Sequence, residues 1–148
     1  MKFKQYAGEI DTCVAGTPEV ALGVVAARRD GQVRVDLTVG KIVPGAAYNL
    51  ALVEKEVKYR GSNGIVFHKM VVRDFAVVTP AGLTARAVFD LASVESRAVG
   101  HLEDFEKEQA FRFKEKMTAI DPSRLAVVFF VQDEATKKVL NAAYTEVK

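Results

Sequence analysis

The sequence predicts a mainly all-β fold, a two-sheet β-sandwich with one inserted α-helix, and three observations carry that prediction. Residues 19–89 are short runs in which apolar residues alternate with polar or small ones. Residues that favour turns (Gly, Asn, Asp and Pro) separate those runs. One stretch, near residues 92–108, changes to helical spacing before the β pattern resumes. Strands in series, without a helix between each pair, argue against a doubly wound βαβ sheet.

The elements follow in order. Val20, Leu22, Val24 and Ala26 alternate with smaller residues and lead into a turn at Arg28, Arg29, Asp30 and Gly31. Val33, Val35, Leu37 and Val39 then point one way while Arg34, Asp36 and Thr38 point the other, the period of a half-buried strand. After Pro44 and Gly45, residues 48–59 form a longer strand. Its alternation slips near Glu54, Lys55 and Glu56, the mark of a bulge or an edge position. Gly61, Ser62, Asn63 and Gly64 tolerate positive φ between two β-prone runs, the strongest short-range signal for a hairpin. In the returning strand Ile65, Phe67, Val71, Phe75 and Val77 share one face, interrupted by Lys69 and Arg73. Val66, His68, Met70 and Val72 lie on the other face. Thr79 to Gly82 turns the chain into a strand marked by Leu83, Ala85, Ala87 and Phe89.

Val94, Ala98, Leu102 and Phe105 then recur at helical spacing, with Ser93 as the expected N-cap and Gly100 as a weakening interior residue. Phe111, Phe113 and Met117 alternate with Arg112, Lys114 and Lys116, so the strand period returns. Asp121, Pro122 and Ser123 turn into Leu125–Val131, apolar on both faces and therefore a central strand. Asp133 to Lys137 closes a second hairpin and residues 139–147 complete the fold, for eight or nine strands in all.

Composition bounds the function. The chain has 148 residues, 49% hydrophobic and 27% charged, enough for one domain with a core that needs no staples. Lys and Arg number 21 against 19 Asp and Glu, interspersed, so the concentrated basic face of a nucleic-acid binder is missing. Cys13 is the single cysteine and there are two histidines, which leaves no intramolecular disulfide and too few ligands for a zinc or iron site. His101, beside the helix's apolar stripe, reads as a boundary residue. The carboxylates Glu103, Asp104, Glu106 and Glu108 read as solvated surface rather than a catalytic pair. The first ten residues carry basic charge but no apolar core, so they are not a signal peptide, and no apolar run approaches a membrane span. No dinucleotide, Walker A or nucleophile-elbow motif is present. No catalytic residue, metal ligand or cofactor site is assigned.

The candidate binding residues are Tyr59, Arg60, Asn63, His68, Lys69, Arg73 and Asp74, the polar cluster of the hairpin. Lys69 and Arg73 at i, i+4 on one face have the chemistry to grip a carboxylate or phosphate. They equally suit cross-strand pairing with Glu54 or Glu56, which explains them without a ligand. His68 and Asp74 occupy the opposite face, too far apart along the strand to form a dyad by themselves.

Three passages, Leu52–Gly64, His68–Arg73, and Leu125–Asp133 continuing to Val139–Ala143, together resemble the immunoglobulin-like β domain that follows thioredoxin-like domains in bacterial exported proteins, including an outer-membrane lipoprotein family. The resemblance spans about residues 50–143 and its motifs mark turns and strand cores. It implies an immunoglobulin-like sandwich without catalytic residues, excised from or related to a larger protein. No thioredoxin-like half and no Cys-x-x-Cys occurs in this chain. The expected function is that of a non-catalytic accessory domain that docks on a protein partner or its own neighbouring domain through the hairpin from Tyr59 to Asp74 and its charged face. The alternatives are a self-associating structural domain forming a homodimer, or a ligand-binding protein or hydrolase with a cleft near His68. The expected location is the periplasm or cell envelope for an excised domain, and the cytoplasm if Met1 is the native start.

Overall fold

The computed structural model describes residues 2–61 and 63–148; Met1 and Ser62, the latter counted above in the hairpin turn, lie outside the described residues. The described residues form α1 (Lys2–Ala15), β1 (Leu22–Arg29), β2 (Gln32–Val39), β3 (Ala46–Lys58), β4 (Phe67–Val78), β5 (Thr84–Asp90), α2 (Leu91–Glu108), β6 (Leu125–Asp133) and β7 (Val139–Glu146), with a 3-10 turn at Pro122–Arg124. They build two antiparallel sheets, β1-β2-β5 and β4-β3-β6-β7, with α2 inserted between the fifth and sixth strands. Seven strands stand where eight or nine were expected.

The core lies between the sheets. Val33, Val35, Leu37 and Val39 of β2 meet Leu50 and Leu52 of β3 and Leu125, Val127, Phe129 and Val131 of β6, all buried. Each fully buried side chain of this kind contributes about 1.5–3 kcal/mol of transfer free energy. β1 and β2 are joined by Asp30 (φ 52°) and Gly31 (φ 76°), a two-residue turn with both φ positive. That geometry matches the strand twist and favours the Asp-Gly pair found here.

Three sequence expectations are corrected. The run Phe111–Met117 is not a strand. It has no ladder partner: Phe111 N–H donates to the Glu106 carbonyl at 3.2 Å, Phe113 N–H to the Glu106 carboxylate at 2.8 Å, and Met117 C=O accepts from Arg73 at 2.6 Å. The N-cap of α2 is Asp90, whose carboxylate accepts from the Ser93 N–H at 2.8 Å, so Ser93 is the capped residue rather than the cap. Residues 2–15, read only as a basic start, form a helix whose Phe3, Tyr6, Ile10 and Val14 recur at helical spacing and are exposed.

The Ser93 N–H and hydroxyl hold the Asp90 carboxyl below its ordinary pKa. Asp121 and Asp133, bonded to Ser123 and Thr136, are lowered in the same way. A depressed folded-state pKa stabilises the fold above the unfolded value and is lost as pH falls through the folded one. Acid titration is therefore expected to weaken the fold progressively below about pH 4, the ordinary carboxylate range. In Asp90→Asn, urea midpoints measured against pH should lose part of that dependence, because the amide still caps the helix but no longer titrates.

Candidate functional site

The β3–β4 hairpin carries the candidate residues, and a bulge in it decides which way they face. Register shifts between Leu52 and Val53, so that Val53 opposes Val72 while Leu52 opposes Asp74. Arg73 is the extra residue. One inserted residue exchanges the two faces of a strand. Val71 therefore shares the inner face with Glu54, whereas Phe75 and Val77 lie on the outer face opposite Ala51 and Asn49. The grouping of Val71 with Phe75 and Val77 expected from alternation is thus broken. The slip in alternation was legible near Glu54, but β3 is a central strand and the edges of the sheet are β4 and β7.

Several candidate side chains hold the fold together. Arg73 Nε donates to Glu54 at 2.8 Å, and its other nitrogens donate to the carbonyls of Met117 at 2.6 Å and Ala119 at 3.2 Å. The second carboxylate oxygen of Glu54 accepts from Asp121 N–H at 3.3 Å, while Glu95 accepts from Ile120 N–H at 2.7 Å. These bonds strap residues 117–121 to the sheet edge. Lys69 pairs with Glu56 and holds that carboxyl below its ordinary pKa. Asp74 pairs with Arg97 of α2 and accepts from Phe75 N–H at 3.0 Å.

The other four candidates, Tyr59, Arg60, Asn63 and His68, line one cleft of about 570 Å³ at the hairpin end. Its far wall is Phe111, Arg112, Phe113 and Lys114, which sequence reasoning assigned to a strand and not to a site. Asn63 accepts from Ile65 N–H at 3.1 Å, an Asx turn that shapes the hairpin tip before Gly64 at φ 81°. The Tyr59 and His68 rings lie 6.0 Å apart, and Phe111 meets Phe113 edge-on at 5.1 Å. His68 Nε2 is 2.9 Å from the Tyr59 carbonyl, so that nitrogen carries the proton and donates. The hydrolase alternative requires a carboxylate on His68, and among the described residues His68 bonds to a backbone carbonyl instead. No group of three or more metal-ligating side chains converges among the described residues.

A second feature is the outer face of the four-stranded sheet. Three successive cross-strand rows run across its middle: Val72, Val53, Ala126 and Glu146; Phe75, Ala51, Val128 and Tyr144; Val77, Asn49, Phe130 and Ala142. Only Asn49 and Glu146 among these twelve are polar, whereas an antiparallel sheet facing water normally alternates to polar residues. Phe75, Val77 and Tyr144 are 51%, 65% and 49% exposed around a floor of buried Ala51, Val53 and Ala126. No element of the described chain covers them. No helix among the described residues is long and apolar enough to cross a membrane.

No family model matches the chain, and no curated protein does. Among solved structures, it is similar to a domain of the outer membrane lipoprotein Omp28 from Porphyromonas gingivalis, at 11% identity and a TM-score of 0.49, over 90% of this chain and 91% of that one.

Proposed function

We infer that this chain is a non-catalytic interaction domain that docks on another folded protein domain through the outer face of its four-stranded sheet. The observation that carries the reading is the three-row apolar face of Val72, Phe75, Val77, Phe130 and Tyr144, left without a covering layer. Contiguous exposed apolar surface of this kind marks an interaction site. Four strands at about 4.8 Å spacing make a face about 15 Å wide, broader than one peptide strand fills, which favours a folded partner. The β1-β2-β5 and β4-β3-β6-β7 order with all neighbours antiparallel supports an immunoglobulin-like reading. The motif resemblance in the two hairpins supports an accessory role in an exported bacterial protein.

Maleimide labelling tests the reading. In a Cys13→Ser background, Phe75→Cys and Val77→Cys are expected to react readily in the dilute purified chain. They should be protected at least about tenfold in the protein's native cellular setting, as burial in a packed interface requires. Arg34→Cys, on the outer face of the three-stranded sheet, should react in both. Equal reactivity of position 75 in the two settings overturns the docking reading. Protection that appears in the purified chain as its concentration rises replaces the folded partner with a second copy of this chain.

A further inference from the structure

We propose that the cleft at the end of the β3–β4 hairpin is a second binding site, distinct from the apolar sheet face, and that it takes a short acidic peptide segment bearing an aromatic side chain. Three positive side chains, Arg60, Arg112 and Lys114, converge on the cleft, and among the described residues no carboxylate lines it. None of the three is in a salt bridge among the described residues. Arg73, Arg97, Lys116 and Arg124 elsewhere on this side of the molecule all pair with carboxylates. A concave cationic patch whose members have no direct carboxylate partner draws anions and orients them, with Glu106, behind Phe113, the carboxylate that acts on Arg112 through space.

The floor adds the second requirement. Phe111 is exposed at the rim, Phe113 packs between it and Phe105, and Tyr59 faces the same space from the hairpin. Aromatic edges and faces in this arrangement accept another ring, with carboxylates on either side of that ring reaching the guanidinium groups of Arg60 and Arg112. Both walls are anchored. The hairpin wall is set by the Asx turn at Asn63 and the His68–Tyr59 bond, and the opposite wall by the Glu106 bond to Phe113 N–H and the Glu106–Lys116 pair. These bonds hold the lining side chains' backbone in place without a ligand, which lowers the ordering cost of binding. A peptide is favoured over a nucleic acid because three cations form a compact patch and the chain's net charge is only +2. A nucleic-acid strand would need a continuing basic track.

The test is titration of the isotopically labelled intact chain with an acetylated Glu-Phe-Glu-Asp amide, followed by amide chemical shifts. Saturable shifts confined to Tyr59, Asn63, His68 and the 111–114 amides are expected, weakening as salt is raised. Arg112→Glu with Lys114→Glu, both at exposed positions, should weaken binding at least about tenfold while leaving the rest of the spectrum in place. Phe111→Ala should weaken it by a smaller factor. Dispersed or absent shifts, or equal binding of a Lys-Phe-Lys-Lys control, overturn the proposal. Tighter binding of a short oligothymidylate also overturns it, in favour of a nucleic-acid site. Because Phe75 and Val77 lie on the outer sheet face and not in this cleft, failure here leaves the docking face untouched, and the converse holds.

Discussion

Phe129→Ala is expected to destabilise the chain by about 3–5 kcal/mol, the range for emptying an aromatic site in a core that cannot fully collapse. Phe129 lies mid-β6, is 0% exposed, and opposes Leu50 of β3 on one side and Ala143 of β7 on the other. Both sheets face it, so no single element can move in to fill the space. A domain of this size has about 5–15 kcal/mol in total, so the variant should unfold at a much lower urea concentration or fail to fold at 37 °C. Phe129→Leu, which keeps most of the volume, should retain the fold. A loss under about 1 kcal/mol for the alanine variant would mean that the ring is not held between the sheets.

Arg73→Met is expected to cost a comparable amount, about 3–5 kcal/mol, for a different reason. The side chains of Arg73 and Glu54 are 10% and 5% exposed, and removing the guanidinium strands a carboxylate where water reaches it poorly. The same change frees the carbonyls of Met117 and Ala119. Pairing it with Glu54→Leu should recover part of the stability, because the uncompensated charge goes. It should not recover the strap, so hydrogen exchange at residues 117–121 should stay fast in the double variant. Arg73→Lys should restore little, since an ammonium cannot reach a carboxylate and two carbonyls with one rigid fork. A double variant less stable than either single change would contradict the account.

These two residues mark the boundary between what the chain states locally and what it does not. Val33 to Val39, with its strict alternation, and Leu125 to Val131, apolar on both faces, specify strands and their burial by side-chain period alone. The turns at Asp30-Gly31 and Asn63-Gly64 are equally local, because positive φ is a property of one or two residues. The helix over Leu91–Glu108 is legible from Val94, Ala98, Leu102 and Phe105. The helix over Lys2–Ala15 is legible too, from the helical spacing of Phe3, Tyr6, Ile10 and Val14.

The candidate site was half legible. Tyr59, Arg60, Asn63 and His68 belong to one hairpin, so sequence proximity brings them together. Phe111 to Lys114 carry a genuine two-residue alternation, yet a strand exists only where a neighbour offers a ladder. Here the Glu106 carboxylate and carbonyl accept from the Phe113 and Phe111 N–H groups instead, while Arg73, Glu95 and Glu54 hold residues 117–121. The far wall of the cleft is therefore held by the end of α2, and only folding brings it opposite the hairpin. The apolar outer face has the same origin, for the extra residue at Arg73 turns Phe75 and Val77 outward, and a register shift is set by the paired strand. The sequence by itself determined the class of fold, its turns and its core strands, because those follow from the stereochemistry and periodicity of neighbouring residues. Only the tertiary structure decided which faces stayed uncovered and which cations stayed unpaired, because both depend on partners that the chain brings together only on folding.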